Sequence, residues 1–278
     1  MGITETKQLL GEFGLTPNKA LGQNFLCDES AVARILDAAD ADGRCALEIG
    51  PGLGALTLEL AKRAKKLAAV EIDAALVRVL ERRLSGVQNV RLLHSDFLKL
   101  DLDELKAGFF GGEAFCVVAN LPYYVTTPIC MALLSGGHSI LSMTLMLQKE
   151  AAERFFAPPS SRVYGPLTVL AQHGYAVEKL LSLSPAAYYP APEVDSVVIR
   201  LVKKESAAYL SALPPLLQAA FSMRRKTLFN NLKPLFLSRE ALLNALSACE
   251  IDPGARAEAL PAEAFARLAG YMEESGER

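Results

Sequence analysis

Ala46-Leu47-Glu48-Ile49-Gly50-Pro51-Gly52-Leu53-Gly54 is a short apolar run followed by glycine at every second position. Ala46 to Ile49 reads as a buried strand, the glycines as a tight turn, and Ala55 to about Ala64 as a helix. A strand, glycine turn and helix in succession open the α/β folds that bind ligands at the carboxyl ends of their strands. The same alternation continues outward. Leu67 to Val70, Val90 to Leu93, Phe115 to Ala119 and Ser142 to Leu147 are apolar strand candidates, and Asp73 caps a helix through Leu84. The expected fold is α/β, with a doubly wound, mostly parallel sheet. Ala176 to Ser182 and Val194 to Val202 extend it with an antiparallel edge.

Upstream, residues 1 to 27 read as an arm; Lys19 to Leu26 has no clean period, and Gly22 breaks any helix there. Asp28 caps a helix from Glu29 to about Ala39. Downstream, Lys149 to Phe156 and Leu167 to Gln172 read as helices. Everything beyond Ser206 is helical, interrupted at Pro214-Pro215, Pro234 and Pro253-Gly254. We expect an arm plus α/β domain over residues 1–204 and a small all-helical C-terminal domain over 205–278.

Composition narrows the class. The chain has 278 residues and a net charge of −2, with a pI near 6.0. No apolar run approaches the ~18 residues of a membrane span, and the first ten residues lack a signal-peptide pattern. Met1-Gly2-Ile3-Thr4-Glu5-Thr6 fits a myristoylation pattern formally, without the polybasic or second lipid signal that stable anchoring needs. Five scattered cysteines form no Cys-x-x-Cys pair, and Cys45 and Cys116 read as small core residues. His94, His138 and His173 have no ligand spacing and read as structural. No metal is expected, and a reducing cytoplasm is the default compartment. Basic residues concentrate in two clusters, one from Lys62 to Arg83 and one at Arg224-Arg225-Lys226.

Two stretches carry chemistry. In the first, Gly50, Gly52 and Gly54 let a ligand approach the backbone. Glu71, about 20 residues on, stands where a carboxylate accepts the ribose hydroxyls of an adenosine. Asp96, at the end of the third strand, suits the adenine amine. Gly50, Gly52 and Ala55 also satisfy the dinucleotide pattern, so NAD is a rival to S-adenosylmethionine on these residues alone. The second stretch, Asn120-Leu121-Pro122-Tyr123, decides between them. Pro122 ends the strand, and Thr127-Pro128 reads as N-cap and first helical position. The loop offers an amide, freed backbone carbonyls and an aromatic face, which are the groups that hold an exocyclic amine on a flat ring.

With these motifs in view, the chain resembles the ribosomal RNA small-subunit adenine dimethyltransferases over nearly its whole length. The likeness rests on Leu21 to Leu26, Glu48 to Gly54, Asn120 to Tyr123, Met146 to Glu150, Pro192 to Ser196 and Phe221 to Leu228, in that order. It implies a Rossmann-like methyltransferase domain with a small helical C-terminal domain. It also implies transfer of four methyl groups from S-adenosylmethionine to two adjacent adenosines near the 3′ end of small-subunit ribosomal RNA. By position, the cofactor contacts fall on Asn24, Leu26, Gly50, Glu71, Asp96 and Asn120, with Gly52 in the same turn. The catalytic loop falls on Asn120, Leu121, Pro122 and Tyr123. Tyr188, or its neighbour Tyr189, stands where relatives carry Phe on the far side of the target base. The acidic pI departs from the family, whose members are generally more basic. The implied partner is small-subunit ribosomal RNA in an immature subunit, met by a monomer with no membrane contact. Two other readings stay open: a large-subunit adenine methyltransferase of antibiotic resistance, and a ribosome-assembly factor whose binding outweighs its chemistry.

Overall fold

The computed structural model describes residues 1–137 and 139–276. In chain order, the first half holds α1 (Ile3–Glu12), β1 (Phe25–Leu26), α2 (Glu29–Ala38), β2 (Cys45–Ile49), α3 (Thr57–Arg63), β3 (Lys66–Glu71), α4 (Ala74–Arg83), β4 (Val90–His94), α5 (Leu102–Gly108) and β5 (Phe115–Asn120). There follow α6 (Thr126–Ser135), β6 (Ile140–Gln148), α7 (Lys149–Glu153), α8 (Pro166–Gly174), β7 (Tyr175–Leu183), β8 (Tyr188–Tyr189) and β9 (Ser196–Lys203). The chain ends in α9 (Leu213–Ala220), α10 (Leu228–Leu232), α11 (Arg239–Ala248) and α12 (Ala262–Ser275).

Seven strands form one sheet in the order β4-β3-β2-β5-β6-β9-β7. The first five run parallel, and β9 pairs antiparallel with β6. This is the mixed, mostly parallel sheet that the alternating pattern predicts. Every residue of β2 and all but the last of β5 are buried, as strands covered on both faces must be. The order reverses between β2 and β5, so a crevice opens at their carboxyl ends. There Ile49 pairs with Ala119, which sets Gly50 beside Asn120.

The chain divides into two compact units. The first comprises residues 1–129, 138–152 and 178–202; the second comprises 130–137, 153–177 and 203–278. The second unit has its own helical core, in which Leu216, Leu217, Leu228, Leu242, Phe265 and Leu268 are fully enclosed. Asn231 is buried there because its amide donates to the Ala220 and Met223 carbonyls at 2.6 and 3.1 Å. His173 Nε2 donates to the Ala208 carbonyl at 3.1 Å, which is a structural role. His138 lies outside the described residues.

Four local expectations need correction. Residues 1 to 27 are not an irregular arm throughout: Ile3–Glu12 is helical, and Leu10 sits in a cluster with Phe25, Leu53, Leu76 and Val79. Its apolar residues are too few to show a period on their own, and tertiary burial supplies what local pattern does not. The helix after the glycine turn begins at Thr57 rather than Ala55, because the turn runs on, with Gly54 N–H donating to the Pro51 carbonyl at 2.8 Å. α6 begins at Thr126, so Thr127 and Pro128 lie inside its first turn and Thr127 is not the N-cap. Proline is tolerated there because first-turn N–H groups have no intrahelical acceptor. The strand expected from Val194 starts at Ser196, with the Asp195 carbonyl turned to accept Lys149 N–H at 3.1 Å. Phe25–Leu26 and Tyr188–Tyr189 also form a separate two-stranded sheet that periodicity cannot reveal at that length.

α1 is held by its apolar face together with a buried Thr6 Oγ1–Cys27 Sγ contact at 3.2 Å and a Glu5–Arg83 ion pair at 3.6 Å, so truncating the apolar face should free the helix before it unfolds the sheet. Leu10→Ala should speed hydrogen exchange of the α1 amides while leaving those of β2 and β5 unchanged. Equal acceleration in both places would make α1 part of the global fold.

Candidate active site at the β2–β5 crevice

The glycine turn is fixed by backbone geometry. Gly50 and Gly52 have φ of +69° and +59°, where a side chain is strained. A Cβ on Gly52 would also meet the Phe25 ring at 3.2 Å, so the turn and β1 are in close contact.

Three carboxyl groups line the pocket that opens here: Glu48, Glu71 and Asp96. Glu71 is 5 % exposed and its carboxylate accepts three backbone N–H groups. Gly52 donates to Oε2 at 3.1 Å; Ile72 and Asp73 donate to Oε1 at 2.9 and 3.0 Å. Burial pushes its pKa up, and those three bonds oppose the shift. A carboxylate has about four acceptor positions, so one remains free. One ribose hydroxyl can take it; a second needs Gly52 N–H to let go. Asp96 accepts Leu98 N–H at 3.0 Å through Oδ1 alone.

Glu48 is a pocket residue to which the sequence reading gave no role. It lies in β2, 2 % exposed, with Oε2 buried and unpartnered, and it lines the pocket. Burial pushes its pKa up to about 8; Thr57 beside it pulls the other way, and Glu71 adds repulsion. Thr57 Oγ1 closes no hydrogen bond of its own. The available signal was an acid inside an otherwise apolar strand.

The opposite wall comes from the arm and the loop after β5. Asn120 Nδ2 donates to the Asn24 carbonyl at 3.1 Å. A carbonyl only accepts, so the amide nitrogen must face it and Oδ1 turns away from the arm. Leu121 N–H is held by the Met146 carbonyl at 3.2 Å. The Pro122 carbonyl is committed to the turn into α6, accepting Val125 N–H at 3.2 Å and Thr126 Oγ1 at 3.0 Å. Tyr123 is half-buried in the pocket wall, and burial raises its pKa.

Of the two neighbouring tyrosines, Tyr188 lines the pocket and is 4 % exposed. Burial pushes its pKa up to about 12, and its hydroxyl makes no hydrogen bond although Ser196 stands beside it. Tyr189 pairs with Phe25 and lies under Lys7 Nζ, 5.0 Å from its ring centre. Leu26 is buried in the pocket wall opposite Tyr188 in register. The structure thus brings Asn24, Leu26, Gly50, Gly52, Glu71, Asp96, Asn120 to Tyr123 and Tyr188 around one cavity.

The basic clusters lie elsewhere. In the first, Lys62 pairs with Glu59, Arg63 with Asp37 and Lys65 with Glu113. In the second, Arg224 donates both terminal nitrogens to the Arg162 carbonyl at 3.1 Å, while Arg225 and Lys226 are exposed.

The pocket's chemistry separates the two cofactors. Its described lining holds three carboxyl groups and no lysine, arginine or histidine. The Gly52 amide that a pyrophosphate would take already serves Glu71. A dianion is disfavoured and a cation favoured, which fits the sulfonium and ammonium of S-adenosylmethionine. A Rossmann-like sheet with such a pocket at its switch point defines an S-adenosylmethionine-dependent methyltransferase. The profile of the family described as Ribosomal RNA adenine dimethylase matches residues 14–274, and the chain belongs to that family. It is 40 % identical over 272 residues to Ribosomal RNA small subunit methyltransferase A of Clostridium botulinum, covering 95 % of this chain and 96 % of the relative. It is 44 % identical over 285 residues to the protein of that name in Shouchella clausii, covering 96 % and 93 %. Among solved structures it is similar to a dimethyladenosine transferase from Plasmodium falciparum, with TM-score 0.74 and 26 % identity over 91 % of this chain and 98 % of the other. The 23S rRNA methyltransferase ErmE aligns with TM-score 0.63 and 26 % identity over 90 % and 100 %.

Glu48 gives a pH test. Unfolded, it titrates near 4.5; folded, near 8. Between those values the folded chain keeps a proton that the unfolded chain releases, so stability falls as pH rises through that window and is flat above it. The full penalty is on the order of 4–5 kcal/mol. Glu48→Gln should therefore match the parent's melting temperature near pH 4.5 and exceed it increasingly up to about pH 8. A pH-independent difference would mean that Glu48 is not held protonated.

Proposed function

We infer that the chain dimethylates the N6 amines of two adjacent adenosines near the 3′ end of small-subunit ribosomal RNA, with S-adenosylmethionine as donor. The supporting observation is the fixed amide of Asn120, set by the Asn24 carbonyl beside an acidic pocket. The likeness to small-subunit relatives over 95–96 % of the chain supports that substrate. Bound S-adenosylmethionine supplies an electrophilic methyl group on a sulfonium.

The chain's own residues do the rest. Adenine N6 is a poor nucleophile because its lone pair is delocalised into the ring. Asn120 Oδ1 and the Leu121 carbonyl accept its hydrogens, which localises the lone pair and aims it. Pro122 keeps the loop rigid. Tyr123 stacks on one face of the base, worth roughly 1–3 kcal/mol, and Tyr188 closes the other side. Asn24, Leu26, Gly50, Gly52, Glu71 and Asp96 form the cofactor wall. We assign the arm and methyltransferase domain to 1–204 and the helical domain to 205–278. We also assign phosphate contacts to Lys19, an exposed lysine of the arm, and to the exposed Arg225 and Lys226, and propose that a cytoplasmic monomer meets the immature subunit.

The test is methylation of immature small and large subunits side by side, mapped by primer-extension stops. Stops at adjacent adenosines in the small-subunit RNA alone support the reading, and stops in the large-subunit RNA alone overturn it. In single-turnover transfer, Asn120→Ala should slow the chemical step about 10²–10³-fold while RNA binding persists. Parental transfer would reduce the loop to a structural turn. Glu71→Ala should weaken cofactor binding by roughly 1.5–3 kcal/mol, the range for hydrogen bonds to a charged group. Unchanged affinity by calorimetry removes it from the site.

A further inference from the structure

Gln23 belongs to no step described so far. It lies in the arm, and its side chain makes two hydrogen bonds of fixed polarity. Nε2 donates to Asp73 Oδ2 at 2.7 Å, and Oε1 accepts Asn18 N–H at 2.8 Å. A carboxylate only accepts and an N–H only donates, so the amide cannot be reversed without breaking both. Asp73 is itself fixed: its Oδ1 accepts Ala75 N–H at 2.8 Å at the start of α4, and its own N–H is held by Glu71 at 3.0 Å. Gln23 therefore ties the arm to the residues beside the cofactor carboxylate.

The next residue is Asn24, whose carbonyl holds Asn120 Nδ2. The intervening backbone has little freedom. Gly22 turns with φ +61° against Pro122 and Tyr124, and Asn24 Nδ2 returns to the Gly22 carbonyl at 3.2 Å. Beyond Asn24 the chain enters the Phe25–Leu26 strand, paired with Tyr188–Tyr189. The arm is thus pinned on both sides of the one carbonyl that sets the Asn120 amide.

We propose that Gln23 is a positioning residue for methyl transfer: its bond to Asp73 holds the Asn24 carbonyl in place, and so keeps the Asn120 side-chain oxygen toward the target amine. Gln23 touches neither reacting atom and acts through Asn24 and Asn120. The proposal rests on the function inferred above. It also links the two halves of the site, because Asp73 follows the cofactor carboxylate by two residues while Asn120 faces the base.

The test is an exchange of polarity. Gln23→Glu keeps the shape and sets a carboxylate against Asp73, so the arm loses its anchor. With saturating S-adenosylmethionine and RNA, the single-turnover rate should fall about tenfold to a hundredfold, the loss of one charge-assisted hydrogen bond. Cofactor Kd by calorimetry should weaken by less than the rate falls, because the arm forms part of the cofactor wall while the Asn24 carbonyl acts in the chemical step. Combining Gln23→Glu with Asp73→Asn restores one donor facing one acceptor. The new amide oxygen still caps α4 and its NH2 faces the new carboxylate, so the rate should return close to the parent's. A readout independent of turnover is solvent exchange of the Asn120 side-chain amide protons, which Gln23→Glu should accelerate and the pair should slow again. A parental rate in Gln23→Glu, or a double variant as slow as the single, overturns the proposal. Either result with an active parent leaves the proposed function standing, whereas a parent that methylates no RNA overturns that function itself.

Discussion

Two carboxyl groups, Glu48 and Glu71, are buried at the edge of the pocket with no lysine, arginine or histidine in its described lining to neutralise them. The rest of the site follows from that constraint. Burying a charge is costly unless hydrogen bonds compensate or the group takes up a proton. The two residues use different remedies. Glu71 sits where a strand ends and a helix begins, so backbone N–H groups with no partner of their own are available to it. Glu48 lies within β2, where neighbouring N–H groups serve the sheet, and it keeps its proton instead. Burial thus disfavours both carboxylates, and a cationic ligand offsets part of that cost. Selectivity for a sulfonium over a pyrophosphate follows from electrostatics rather than from the glycine pattern, which both cofactors share.

The glycine turn has a different job from the one its pattern suggests. Its Gly52 amide is turned onto Glu71 rather than left open to a phosphate. The bare α-carbon of Gly52 admits the Phe25 ring, which brings the arm down onto the turn. Close approach of backbone to another group is the reason for glycine, as expected. Much of what approaches, however, is the protein's own arm. That contact, the small β1–β8 sheet and the Asn24–Asn120 bond make the arm a third wall of the pocket, alongside the strand ends and the loop after β5.

The parallel sheet, its antiparallel edge strand and the positions of Glu71, Asp96 and Asn120 were legible in the sequence because each depends on local signals: apolar runs, glycine spacing and a strand-ending proline. α1 was not legible, since its burial depends on Leu53, Leu76 and Val79, which lie far off in the chain. The Phe25–Leu26 and Tyr188–Tyr189 pairing joins residues some 160 positions apart and is too short for a period of two. It is what separates Tyr188 from Tyr189, since register sends alternate side chains to opposite faces. Glu48 was visible as a residue but not as a group, because only burial makes an ordinary glutamate titrate near neutrality.

Charge on the surface follows the same local logic. The net charge of −2 gives no hint of an RNA partner, yet phosphate responds to the charges within about 8–10 Å of it. In the cluster from Lys62 to Lys65 each cation has a carboxylate partner. A chain can carry many basic residues and leave few of them available, or carry few and leave them exposed, so composition alone does not decide nucleic-acid binding. On the proposed function, the second methyl transfer sets the last requirement. A monomethylated amine has one hydrogen left, so one of its two acceptors must be released and the base must shift. Asn120 is tethered, and Tyr188 is enclosed by a buried cluster that includes Leu26, Leu183 and Val198. Tyr123 is only half-buried and follows a proline in a loop. Of the two flanking rings Tyr123 is the less enclosed, and the tethered wall is what keeps the nitrogen aligned while the base moves.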